Sequence, residues 1–392
     1  MKSLPFGAVL VVTMAASTFS LAAFAVLAAD LISEFAVSRE QIGYLVTASA
    51  LVGAASAPIL GPWSDRIGAR RGTIFSLFVS FVGLAALTLA PTFGLLVIAA
   101  LGTGVTQGIA NPATNKLISL HVPPGRRGII TGIKQSGVQA GTAFGGILLP
   151  AMAAWFGWRS GVAAMAALAA LGLILAMSVV PPDVGAAQAV QGGPGFEGGD
   201  IGRLTAYGFL LGAGGTAIFT YVPLFAQEAL GLSPLVAGSA VTVMGVVGVI
   251  ARIIWGRVTE VWLGADLSLA VIAVLAAAGG MLLVAGPGIG SWSIWPAAIL
   301  TGLSASAWNT VGMLAVIDRV PVELAGRASG RVMFGFLAGL GIGAPLLGRS
   351  VDATGDYVLG WGVTTLVFLG ALAVMVPTLR RQEPESAGSR LR

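Results

Sequence analysis

Hydrophobic residues along this chain come in long, nearly unbroken blocks rather than in the alternation of a half-buried strand. Windows of about 20 residues, the length that crosses a bilayer as a helix, isolate apolar blocks at 5–29, 40–61, 73–91, 93–118, 128–151, 158–180, 204–228, 234–255, 266–286, 292–317, 326–347 and 358–379. Charged residues collect in the short gaps between them. In lipid only helices or closed barrels satisfy every backbone group, and no stretch has strand period. The pattern therefore predicts an all-α membrane protein with twelve transmembrane helices. The first block runs for roughly 25 residues, too long for the core of a signal peptide and right for a spanning helix. Between the sixth and seventh blocks, PPDVGAAQAVQGGPGFEGGD (181–200) is rich in Gly and Pro. It reads as a flexible linker, so that the expected organisation is an N-terminal six-helix bundle (1–180), a linker (181–202) and a C-terminal six-helix bundle with a short tail (203–392).

Composition sharpens this picture. Of 392 residues 56% are hydrophobic and only 9% charged, well below the roughly 25% of a soluble domain. The formal net charge of +5 does not indicate nucleic acid, because excess arginine in a membrane chain marks the cytoplasmic loops. With the N-terminus inside, one side collects Lys2 and most of the arginines, among them Arg66, Arg126, Arg203 and Arg319. The other side keeps Arg39, Arg159 and Arg349. Both termini and the linker are thereby expected in the cytoplasm. The absence of cysteine excludes disulfides and thiolate metal sites. No Gly-Lys-Ser/Thr phosphate loop is present, and His121, the single histidine, lies beside a loop where a solvated role is expected. No enzyme activity, cofactor or metal is predicted.

The two halves echo each other. Ser38, Gly43, Gly53, Gly61 and Asp65 match Ser233, Gly238, Gly248, Gly256 and Glu260 at a shift of 195 (256 minus 61). Gly128, Gly132, Gly137, Gly141 and Gly145 match Gly326, Gly330, Gly335, Gly339 and Gly343 at 198 (326 minus 128). Such a six-plus-six parallel repeat, making two pseudo-symmetric bundles, is the build of transporters that rock one half against the other around a midplane site.

The loop GPWSDRIGARR (61–71) resembles the signature of the major facilitator superfamily, with Gly61, Asp65, Arg66, Gly68, Arg70 and Arg71 all in place. Its echo GRVTEVWLGAD (256–266) keeps Gly256 and Glu260 without the basic pair. FGWR (156–159) and LLGRSVDATGDY (346–357) are similar to the family at the ends of its fifth and eleventh helices. The resemblance implies a secondary transporter of a bacterial inner membrane. In such proteins this loop latches the halves on the inside, its aspartate at a helix end and its arginines reaching carbonyls and acids across the interface. A merely orienting positive loop is the simpler reading, but it needs neither the glycines nor the aspartate.

Candidate chemistry lies in the apolar blocks. Lys134 shares a helix face with the small-residue stripe Gly137, Gly141 and Gly145. Arg331 occupies the corresponding turn of the eleventh helix, and Arg252 lies inside the eighth. A buried cation costs about 3 kcal/mol even on a lenient insertion scale, and deep acidic residues are scarce, so these three point to an anionic ligand. The competing reading is that all three snorkel to the cytoplasmic surface. Gln107, Asn111 and Asn115 recur at helical spacing on the fourth helix, with Gln135 and Gln139 on the fifth; amides hydrogen-bond carboxylates without adding charge, and they also glue helices together. Asn309 and Tyr221 complete the substrate-binding candidates. Asp30 and Glu34, at the outer end of the first helix, are candidate proton carriers or simply solvated carboxylates.

The pattern ARIIWG around Arg252 resembles the monocarboxylate and oxalate/formate branches. NPATNKL (111–117) and GIKQSGVQAG (132–141) are more similar to bacterial branches that include cyanate-type carriers. Together these imply transport of a small organic, carboxylate-like anion by alternating access, with protons or a counter-anion as coupling partner and the monomer as working unit. The rival is an exporter of drugs or other small molecules; such carriers commonly hold a carboxylate deep in the first or fourth helix, and here those helices have none before Asp30.

Overall fold

The computed structural model describes residues 3–37, 39–182 and 198–388. Most of the linker segment, and Ser38 of the repeat, lie outside the described residues. Nine stretches among the described residues are long and apolar enough to cross a membrane, and one of them, Val236–Ile289, contains two helices. With the pieces of the first segment and Arg127–Phe156, twelve membrane segments follow in chain order, and no strand occurs among the described residues. The second to fourth helices are Arg39–Ile67, Ala69–Leu89 and Phe93–His121; the fifth is Arg127–Phe156 and the sixth Trp158–Val179. The seventh to ninth are Gly198–Glu228, Pro234–Val258 and Gly264–Ile289, and the eleventh and twelfth are Ala325–Thr354 and Val358–Gly388.

Three segments depart from the continuous helices and loops expected. The first is in pieces, Ser3–Ala16, Phe19–Val26 and Ala28–Phe35. Ser17 Oγ donates to the Met14 carbonyl and Thr18 Oγ1 to the Ala15 carbonyl, and such back-bonding competes with the helical ladder. The tenth is interrupted between Ile294–Leu303 and Trp308–Arg319. There the carbonyls of Leu303 and Ser306 accept Trp255 Nε1 and Arg252 Nε of the eighth helix at 2.8 and 2.7 Å, so side chains supply what the broken ladder leaves open. Between the eighth and ninth, in place of a loop, Thr259–Leu263 forms a π-helical turn that keeps the chain helical.

Two compact units emerge. The first comprises residues 1–123, 133–196 and 319–334; the second comprises 124–132, 197–318 and 335–392. The opening turns of the fifth helix thus pack within the second unit, and those of the eleventh within the first. Glycine makes both arrangements possible. In the first unit a methyl group on Gly61 would strike the Gly326 carbonyl, and in the second a methyl on Gly128 would strike that of Gly256. The fourth helix is buried on every side from Thr106 to Ile118, so each polar side chain it carries there must find its partner inside the protein.

Candidate functional site

Lys134 is fully enclosed, with 0% of its surface exposed. Its Nζ donates to Asn111 Oδ1 at 3.0 Å and to Asn115 Oδ1 at 2.5 Å. Asn111 Oδ1 also accepts Gln135 Nε2 at 2.8 Å. The amide nitrogens of the two asparagines point elsewhere: Asn115 Nδ2 donates to Ser329 Oγ at 2.8 Å, and Asn111 Nδ2 lies 3.4 Å from Met333 Sδ. Residues 111 and 115 stand one helical turn apart, which is why both reach the same ammonium. No carboxylate pairs with Lys134 among the described residues. Among the described residues its charge is answered by amide dipoles, an arrangement costly to bury without a counter-ion and suited to receiving an anion.

At the 61–71 loop of the same unit, Asp65 caps the start of the eleventh helix. Its carboxylate oxygens accept the backbone N–H groups of Gly326 at 2.8 Å and Arg327 at 2.7 Å, where the helix dipole favours negative charge. Lys116 lies 3.5 Å from Asp65 Oδ1 and donates to the Asp65 carbonyl at 2.7 Å. Arg70 reaches carbonyls, as expected, but those of Met177 and Val180 at the end of the sixth helix, at 2.7 and 2.9 Å. It closes that helix's open C-terminus within its own unit. Gly68 has φ 98°, a conformation favouring glycine, which lets the third helix start at Ala69. Arg66 and Arg71 are exposed.

In the second unit Glu260 plays the matching part on the π-helical turn. Its two oxygens accept the N–H groups of Arg127 at 2.9 Å and Gly128 at 3.0 Å. Arg127 also lies 3.6 Å from Asp318. Arg252 is buried, with 4% exposure, and its bond to the Ser306 carbonyl gives it a structural task at the tenth-helix break. Beside that break Asn309 Oδ1 is buried with no hydrogen-bond partner among the described residues.

The remaining sequence candidates scatter. Gln107 donates to Ser49 Oγ at 2.9 Å and so joins the second and fourth helices. Gln139 is half-buried and Arg331 exposed; neither is bonded to Lys134. Tyr221 abuts Gly348. Asp30 is exposed. Glu34 accepts Trp158 Nε1 and lies 2.5 Å from Arg159, and these bonds, Trp158 foremost, hold its carboxyl below the usual range, which suits a clasp more than a proton carrier. At the corresponding end of the second unit, Glu228 accepts Tyr357 Oη at 2.7 Å. Burial, reinforced by that carboxylate, pushes the Tyr357 phenol up. Sequence reasoning missed the roles of Lys116, Ser329 and Met333. Lys116 had a signal in being one of three lysines, directly after Asn115; Ser329 and Met333 had none.

The profile described as Major Facilitator Superfamily matches residues 8–344 and again 204–391. The probable nitrate/nitrite transporter NarK2 of Mycobacterium tuberculosis is 27% identical over 381 residues, 90% of each chain. The gallate transporter of Pseudomonas putida is 27% identical over 146 residues; the match spans 36% of this chain and 32% of that one, so the chain matches about a third of that relative's length. Among solved structures, the human organic anion transporter MFSD10 superposes with a TM-score of 0.80 at 13% identity, covering 96% of this chain and all of that one (100%). The proton:xylose symporter XylE gives 0.78 at 15% identity, with 95% of each chain covered. At these identities the structural likeness establishes the fold. With the profile matching across nearly all of its length, the chain belongs to the Major Facilitator Superfamily of membrane transporters.

Proposed function

We propose that this transporter moves a small monovalent organic anion of the carboxylate class by alternating access of rocker-switch type, and that Lys134 supplies the charge that meets it. The observation that carries the reading is the state of that lysine: fully buried, and bonded to amide oxygens with no acid paired to it among the described residues. A carboxylate at the ammonium would supply the missing counter-charge and receive charge-assisted hydrogen bonds. A single cation favours a monovalent ligand over a dianion. Two relatives are named for anions, gallate and nitrate/nitrite, which supports the charge sign. The nitrate/nitrite relative matches over the greater length, and on that ground a small inorganic oxyanion is the second reading.

The repeat, the Asp65 and Glu260 caps and the family support a gate on the side of the 61–71 loop that opens and closes as the carrier cycles. The charge bias of the loops supports a cytoplasmic position for that side and for both termini. A cysteine introduced at the exposed Pro124 should then react with an impermeant maleimide only after the membrane is permeabilised.

The test of the anion site is direct binding of nitrate, acetate, benzoate and gallate to purified protein in lipid nanodiscs, with Lys134→Gln as comparison. Glutamine keeps a donor and removes the charge. Affinity should fall by about 1.5 to 3 kcal/mol, the range for a hydrogen bond to a charged group, or roughly ten- to a hundredfold in Kd. Equal affinity in wild type and Lys134→Gln would remove the anion site from the fifth helix.

A further inference from the structure

A lysine ammonium can only donate hydrogen bonds, so the oxygens of Asn111 and Asn115 must face Lys134 and their N–H groups must face away from it. Those N–H groups land on one short stretch of the eleventh helix: Asn115 Nδ2 on Ser329 Oγ at 2.8 Å, Asn111 Nδ2 on Met333 Sδ at 3.4 Å. All these residues belong to the first unit and all are buried. The two asparagines are therefore the joint between the lysine and residues 319–334. A thioether is a weak acceptor, and a hydroxyl oxygen is weaker than a carboxylate in a charge-assisted bond. Any anion that sits at Lys134 and seeks further donors finds the N–H groups of the two asparagines already engaged with the eleventh helix.

We infer that Asn111 and Asn115 are exchange contacts: an anion arriving at Lys134 recruits their amide N–H groups and thereby competes with Ser329 and Met333 for them. This rests on the anion-site reading above. Ser329 lies only two and three residues past the Arg327 and Gly326 N–H groups that Asp65 holds, so the turn that loses its amide contacts adjoins the turn that carries the latch. Loading the site weakens the hold on the start of the eleventh helix. That gives the transporter a reason to stay latched when empty and to loosen when filled, through two side chains with no part in the loop signature.

Competition has a sign that mere positioning lacks. If Ser329 and Met333 only held the asparagines in place for the anion, removing them would weaken binding. If they compete with the anion, removing them strengthens it. The experiment measures nitrate and gallate binding, each alone, by calorimetry on the full-length protein in nanodiscs, for wild type, Lys134→Gln, Ser329→Ala and Met333→Leu. Leucine conserves the volume of methionine and loses the acceptor. Ser329→Ala and Met333→Leu should each bind about two- to tenfold tighter than wild type, the equivalent of one competing hydrogen bond. If Ser329→Ala does not fold, Met333→Leu alone decides the sign. Should neither anion bind wild type, or should Lys134→Gln bind as wild type does, the anion site falls and this inference with it. Should Lys134→Gln lose binding while Ser329→Ala and Met333→Leu bind equally or more weakly, the site stands and the competition is refuted.

Discussion

Asp65→Asn isolates the latch, because it changes one atom and one charge at the point where the second and eleventh helices meet in the first unit. The carboxylate accepts two backbone N–H groups, at 2.8 and 2.7 Å, from the first turn of the eleventh helix. Hydrogen bonds to a charged acceptor contribute about 1.5 to 3 kcal/mol each. Asparagine retains a single neutral acceptor, worth about 1 kcal/mol, and turns an N–H donor towards the second backbone N–H. It also withdraws the negative charge from the helix N-terminus and from Lys116 3.5 Å away. The Asp65 side chain is only 10% exposed, so water replaces little of this. The latched arrangement should lose about 2 to 5 kcal/mol, which shifts its equilibrium against the opened one roughly thirty- to several-thousandfold.

The chain's lack of cysteine gives a clean reporter. Ala328 is fully buried in the latched segment, so a cysteine there should react with maleimide only when the segment lifts. In the Asp65→Asn background its labelling rate should rise at least tenfold, while the melting temperature of the whole protein changes little. Identical labelling rates in the two backgrounds would refute the claim that Asp65 holds the eleventh helix, whatever happened to transport.

Two further outcomes follow from the same geometry. Glu260→Gln breaks one of the two bonds to Arg127 and Gly128 N–H; with no lysine among its bonded partners its cost should be smaller, about 1 to 2 kcal/mol, read as faster labelling of a cysteine at the buried Thr131, and unchanged labelling counts against a second latch. Glu34 has a folded-state pKa below its ordinary value of 4.5, chiefly through the Trp158 bond and then Arg159, so its contribution is fully present above about pH 4.5 and is lost as pH falls through the lowered value; melting temperature should drop over that acid range in wild type and drop less in Glu34→Gln, and parallel curves would deny Glu34 its clasp.

Sequence disclosed the parts governed by local rules. Membrane spans follow from the length of apolar runs, because lipid leaves the backbone no alternative, and the 61–71 loop is legible because its glycines and Asp65 sit at fixed spacing. Breaks in the first and tenth helices were hidden for the opposite reason. Neither has a proline at the break; Ser17 and Thr18 bond back to their own helix at the first interruption, and at the tenth Trp255 and Arg252 supply partners from a different helix. The same distance in sequence hid what Asp65 binds, since Gly326 lies 261 residues away. Arg252 shows what the sequence rule leaves unsaid: a cation inside a helix does need a reason, and part of that reason is the carbonyl of a broken neighbour, which no spacing in the sequence announces.

The internal repeat carried more than it first disclosed. A shift of 195 pairs Asp65 with Glu260 and Gly61 with Gly256, while a shift of 198 pairs Gly326 with Gly128. Taken together they require that whatever Asp65 does to the N–H of Gly326, Glu260 does to that of Gly128. The structure has both bonds, with the glycine pairs Gly61–Gly326 and Gly128–Gly256 at the two close approaches. The partners of Asp65 and Glu260 were thus implied by combining the two shifts, though neither shift alone names a contact. What the repeat does not duplicate is equally informative: Lys134 maps at 198 onto Val332, and Lys116 at 195 onto Val311. The lysines belong to one half only. On the proposed reading, caps that serve one gating cycle are needed twice whereas a site for one charge needs its cation once, and the single-copy residues of this chain are where its substrate preference should be sought.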